Sequence, residues 1–186
     1  MYLNIPLLFC YCNVLLLFSC KNDLQKVTAV TEQQKFPSET ATDVEFLYTD
    51  SGILRIKLTA PELLRFAGEE PYNELPKGVH LIFYNDRLTV DSWLSANYAI
   101  RFEKKNLMEV RGNVIVINRK GEKLNTEHLL WDEAKKIIYT NEFVKITTAD
   151  EIIMGYGMEA NEDFTRFKVK NIKGTIRLED PDNGIK

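Results

Sequence analysis

Residues 112–157 read GNVIVINRKGEKLNTEHLLWDEAKKIIYTNEFVKITTADEIIMGYG. A β-branched run meets a polar turn, a second run, another turn and a third run. The pattern returns after about 30 residues, with Val114 falling on Val144, Val116 on Ile146 and Leu124 on Met154. The same shift backwards sets Leu94 against Leu124 and Ala96 against Thr126. A chain that repeats hairpins in this way builds a stacked, elongated sheet, and what its long inner face holds becomes the functional question.

The strand signal extends upstream of this stretch. Val44, Phe46 and Tyr48 alternate with polar neighbours, and Asp50-Ser51-Gly52 marks a turn. Leu54, Ile56, Leu58 and Ala60 then alternate against Arg55, Lys57 and Thr59, as expected of a strand with one dry and one wet face. Residues 61–77 are the least regular: three prolines suggest a loop at a sheet end, with a helical turn available to residues 62–65. Strands resume at residues 79–84 and 88–93, and further turn chemistry lies at residues 118–121, 141–142, 149–150 and 161–163. Closely spaced turns without long helices between them argue for an all-β sandwich, barrel or solenoid and against a doubly wound fold.

The N-terminus has its own character. Residues 1–19 contain no Lys, Arg, Asp or Glu, and residues 7–18 are apolar apart from Asn13. That core suits a signal peptide and is short for a membrane span. It ends in Leu17-Phe18-Ser19-Cys20, the pattern of a bacterial lipoprotein cleavage site, although Phe18 stands where a small residue is usual. The expected organisation is a signal peptide over 1–19, a lipidated Cys20 with a tether over 20–42, a folded domain over 43–178 and a polar tail over 179–186. An uncleaved N-terminal helix is the alternative anchor. Cys10 and Cys12 would leave with the signal peptide, so the mature domain would carry neither free thiol nor disulfide, which suits export.

The 186-residue chain has 24 basic and 27 acidic residues and a net charge of −3. That balance gives no electrostatic reason to expect nucleic acid or an anionic membrane surface as a ligand. His80 and His128 lie on separate strands without metal-ligand spacing. No phosphate-binding glycine loop and no nucleophile elbow is present. No catalytic residue, metal or cofactor is therefore expected. The positive signal is one apolar face, carrying Leu54, Ile56, Leu58, Leu81, Phe83, Val90, Val110, Val114, Val116, Leu124, Ile138, Val144, Ile146, Met154 and Tyr156. In a closed sandwich these side chains interdigitate. In an open fold they line a slot for acyl chains, each buried CH₂ being worth about 0.8 kcal/mol. Trp93 and Trp131 hold nearly matching repeat positions and suit either packing or a lipid lining.

Five ordered segments, residues 48–63 (YTDSGILRIKLTAPEL), 76–86 (PKGVHLIFYND), 92–100 (SWLSANYAI), 112–146 and 155–174 (GYGMEANEDFTRFKVKNIKG), resemble the LptC family in a Bacteroidetes-like lipoprotein form. The resemblance covers residues 43–178. It implies a twisted, slightly open antiparallel jellyroll, the β-taco. It implies a non-enzymatic periplasmic component, anchored at the inner membrane, that passes lipopolysaccharide along a hydrophobic groove. Its N-terminal edge, with Val44, Phe46 and Tyr48, would pair with a jellyroll of the LptF/LptG type in the transporter. Its C-terminal edge, where the family's Tyr-Gly falls on Tyr156-Gly157, would pair with an LptA-type bridge protein. A lipid at Cys20 in place of a spanning helix is where this chain is expected to depart from the better-known forms. The competing reading is a structural or cell-surface β-sandwich lipoprotein with a filled core.

Overall fold

A computed structural model describes residues 36–178. Eleven strands form one antiparallel sheet: β1 (Glu39–Asp50), β2 (Ile53–Phe66), β3 (Tyr72–Leu75), β4 (Val79–Tyr84), β5 (Val90–Ala96), β6 (Tyr98–Phe102), β7 (Leu107–Asn118), β8 (Lys123–Asp132), β9 (Ile137–Thr147), β10 (Glu151–Asn161) and β11 (Phe167–Arg177). A single 3-10 turn, Glu103–Lys105, joins β6 to β7. No helix among the described residues is long and apolar enough to cross a membrane. The fold is thus the all-β jellyroll expected.

The sheet is folded along one line. Pairing breaks at Asp43 opposite Pro61, and at Gly112-Asn113 opposite Glu127. It breaks again at Asn141-Glu142 opposite Gly157, and at Gly157 opposite Lys170. Asn97 sits on the same line between β5 and β6, its N–H donating to the Gly112 carbonyl at 2.9 Å. The local chemistry makes the crease. Gly112 (φ +73°), Asn113 (+48°), Asp43 (+51°) and Gly157 (+74°) take the left-handed conformation that bends a ladder, one that glycine, Asn and Asp tolerate best. Pro61, lacking an N–H, loses no ladder bond where the ladder is already broken.

The crease divides the sheet into two leaves. Leaf A comprises residues 44–60, 79–96, 114–126, 143–156 and 171–177. Leaf B comprises residues 39–42, 62–75, 98–111, 128–140 and 158–169. The chain passes from one leaf to the other and back, and one such circuit is the repeat of about 30 residues visible in the sequence. The leaves face each other and bury a common apolar interior that draws Leu81, Val116, Leu124 and Ile146 from leaf A and Met108, Leu129, Ile138 and Met158 from leaf B.

Three expectations are corrected. Residues 62–65 are not helical; they continue β2 through Pro61. Asn141-Glu142 is not a turn but the crease within β9, the turn falling at residues 133–136 instead. The segment read as tether already contains strand: β1 begins at Glu39, held to β2 from the Glu39–Arg65 pair onward, because ladder bonds order residues that show no periodicity. Cys20, the leader, most of the tether and the tail lie outside the described residues.

Candidate functional site: a cavity between the leaves

Across leaf A the ladder aligns Leu58, Leu81, Leu94, Val116, Leu124, Ile146 and Ile153 in one inward row. Across leaf B it aligns Met108, Trp131, Ile138, Ala160 and Phe167. The space between these rows is not uniform. Toward β1–β5 the leaves part around a cavity of about 620 Å³. Its apolar walls include Ile56, Leu58, Leu81 and Phe83 from leaf A, and Leu63, Leu75, Met108 and Trp131 from leaf B. Phe46 and Tyr48 of β1 border it at one end. Phe83 and Trp131 meet edge to face across the gap, 5.6 Å between centroids.

Toward β9–β11 the leaves close. Val114, Val116, Leu124, Val144, Ile146, Met158 and Phe164 have no solvent exposure at all. Val110 and Ile138 border only a void of about 10 Å³, room for no more than a single water.

The cavity mouth is charged. Arg101 clamps Glu133 with two bonds, Nε to Oε1 and Nη2 to Oε2, each 2.7 Å. This pairing holds the guanidinium more firmly charged, against the opposing cost of burial. Arg55 pairs with Asp86, beyond the end of the neighbouring strand β4 on the same leaf. Arg119 lies 3.4 Å from Asp91. Burial pushes the Glu162 carboxyl up, and Lys136, Trp131 and Arg55 only partly counter this. The Trp131 indole N–H has no hydrogen bond of its own but is oriented close enough to favour the Glu162 anion. Asn73 Oδ1, also on the cavity wall, is buried without a partner. The cavity is therefore amphipathic, greasy within and polar at its mouth. Among the described residues no group of His, Cys, Asp or Glu is placed to hold a metal.

The expected face is thus split. Ile56, Leu58, Leu81 and Phe83 line the cavity. Val110, Val114, Val116, Leu124, Ile138, Val144 and Ile146 are packed core. Leu54 is half-buried, away from the cavity wall. Val90 is turned out, because a register shift between Phe83 and Tyr84 brings Asp91 to the cavity instead. Met154 and Tyr156 do not face the interior: Met154 pairs with exposed Lys145, and Tyr156 stacks edge-on against exposed Phe143 outside. The reason is a one-residue slip in the repeat. Val116 pairs with Leu124, eight positions on, whereas Ile146 pairs with Ile153, seven positions on. A shorter hairpin reverses the facing of every residue before the Gly157 bulge.

The edges are likewise redrawn. β1, with Val44, Phe46 and Tyr48, pairs only with β2 among the described residues and forms one edge of the sheet. Gly157 is not at an edge: β10 is flanked by β9 and β11, and the glycine is buried in the crease. The C-terminal edge is β11, whose Ile172 and Ile176 are more than half exposed. Sequence reasoning missed Arg101, Glu133, Glu162 and Phe164, since none stands out in a periodic pattern. Trp131 was legible only as one of two possible roles.

A folded antiparallel sheet with an amphipathic cavity between its leaves defines the class, an all-β jellyroll of the β-taco kind. The chain belongs to the LptC family: the family model described as "Lipopolysaccharide-assembly, LptC-related" matches residues 5–177. Comparison with curated proteins gives no match. Membership assigns the chain to lipopolysaccharide transport, as a transport component and not an enzyme, associated with the periplasm and the inner membrane.

Proposed function

We propose that this protein accepts lipopolysaccharide from the inner-membrane transporter by taking acyl chains into the cavity between its leaves, and then passes the lipid to a periplasmic bridge protein. The observation that carries this reading is the cavity itself. About 620 Å³ of space lies between the two leaves, walled by Ile56, Leu58, Leu63, Leu75, Leu81 and Phe83 and rimmed by both acidic and basic side chains. Acyl chains gain about 0.8 kcal/mol per CH₂ buried against the apolar part of the wall. The two unpaired strand ladders support the transfer geometry. β1 would add to a transporter jellyroll of the LptF/LptG type, and β11 to an LptA-type bridge protein, by β-augmentation. Exposed edges are otherwise a liability. The tether would end in a lipid on Cys20, holding the domain at the inner membrane.

The test is Leu58→Arg, which places a charge on the cavity wall, away from the packed end and opposite Phe46 of β1. Folded variant should be recovered from membranes with several-fold less co-purifying lipopolysaccharide than wild type. Undiminished lipid on a folded variant contradicts the cavity as the lipid site and favours the structural β-sandwich reading.

A further inference from the structure

The β10–β11 hairpin, residues 162–166, crosses from leaf B to the end of leaf A. Its tip is Phe164, whose ring has no solvent exposure and stacks on Phe167 at 5.3 Å. Phe164 also has φ +56°, a conformation that a bulky aromatic residue adopts only under constraint. The hairpin is internally rigid: Thr165 N–H and Oγ1 both donate to Asp163 Oδ1, at 3.0 and 2.7 Å, and Arg166 N–H donates to Asn161 Oδ1 at 2.8 Å. Apart from the burial of the ring and the charge of Arg55 near Glu162, its polar attachment to the opposite leaf is slight. The hydrogen bond recorded between the tip and leaf A runs from Asn118 Nδ2 to the Phe164 carbonyl, 3.0 Å. Asn118 is itself buried, and its Oδ1 accepts from the N–H groups of Lys120 and Glu122, which fixes the amide in place.

The same hairpin borders the cavity. Glu162 and Asp163 line its wall, while Phe164, one residue further on, fills the closed end. The hairpin therefore stands at the boundary between the open and the packed interior, on the side opposite the crease, where the leaves are free to part.

We propose that the β10–β11 hairpin is a latch: Phe164, pinned to leaf A by Asn118, shuts the interior against the C-terminal edge strand, and acyl chains reach Phe167 only when the latch is released. This inference rests on the cavity being the lipid site. A strained, rigid hairpin held across a gap by one side-chain hydrogen bond has two discrete positions available to it, in and out. Strain at Phe164 lowers the cost of leaving, and the ring's burial restores the closed position when no lipid is present.

The test uses the full-length protein in cells with a photoreactive benzoylphenylalanine at Phe83, in the cavity, or at Phe167, behind the latch. Each is read in three backgrounds: wild type, Asn118→Asp, and Phe164→Asn. Asn118→Asp keeps the acceptor for the turn, removes the donor to Phe164 and also opposes the Glu122 carboxylate that the same amide meets at 2.6 Å, so it is read together with Phe164→Asn, which leaves that pair intact. Phe164→Asn removes the ring and suits the positive φ. With the latch as described, Phe167 crosslinks to lipopolysaccharide rise several-fold in both variants while Phe83 crosslinks stay constant. Constant or falling Phe167 crosslinks alongside strong Phe83 crosslinks overturn the latch and leave the cavity standing. Absence of crosslinks at Phe83 in all three backgrounds overturns the cavity reading and the latch with it.

Discussion

The two ends of the interior are built from the same repeat and yet differ in kind. At the β1–β5 end, Leu58 and Leu81 look across at Leu63, Leu75 and Trp131 over open space. At the β9–β11 end, Leu124 and Ile146 occupy the same inward row as Leu58 and Leu81, with nothing empty beside them. Two local features separate the ends. The filled end has a hairpin that folds Phe164 into the gap, whereas the open end has β1, an edge strand with exposed Phe46, Leu47 and Tyr48. The open end is also where opposite charges gather at the mouth, Arg55 with Asp86 and Arg101 with Glu133. Hydrophobic residues at equivalent repeat positions thus serve stability at one end and leave room for a ligand at the other.

That contrast has energetic consequences. Ile146→Ala should cost about 2–5 kcal/mol, because a fully buried side chain leaves a cavity that dense packing cannot close. Leu58→Ala, on a wall already facing open space, should cost roughly 1 kcal/mol. Denaturant unfolding of the two variants measures the difference. Equal losses would show that the open end packs as tightly in solution as the filled one.

A smaller effect concerns Glu162 at the mouth. Burial raises its carboxyl above the ordinary glutamate value. A raised carboxylate stabilises the fold fully below that ordinary value and loses its contribution as pH rises through the folded value. Glu162→Gln should therefore leave acid stability nearly unchanged and give a slightly higher melting temperature at neutral pH. Melting curves across this range check it, and a lower neutral-pH melting temperature would mean that pairing with Lys136 and Arg55 outweighs burial.

Much of this fold was legible because the repeat is a backbone property. Turn chemistry at residues 50–52 and 118–121, together with period-two alternation, is enough to place most strands. The crease was partly legible in Gly112 and Gly157, though each reads equally well as a turn or an edge. The inward facing of Met154 and Tyr156 was misread because it depends on one residue of hairpin length, which periodicity averages away. Of the site, the four cavity-lining aliphatic and aromatic residues of leaf A were legible from alternation. The division between cavity and core was not, since Leu81 and Leu124 have identical sequence signatures. What distinguishes them is the long-range packing around each: Leu81 borders the cavity, whereas Leu124 is fully buried and does not.

The most direct measurement compares lipid capture inside and outside the folded sheet. Benzoylphenylalanine at Phe83, facing the cavity, and at Phe143, facing outward beside Tyr156, would be irradiated in cells expressing the full-length protein. Lipopolysaccharide crosslinked at Phe83 and not at Phe143 is the predicted result. Capture at Phe143 with none at Phe83 would place the lipid on the outer face and contradict transport between the leaves.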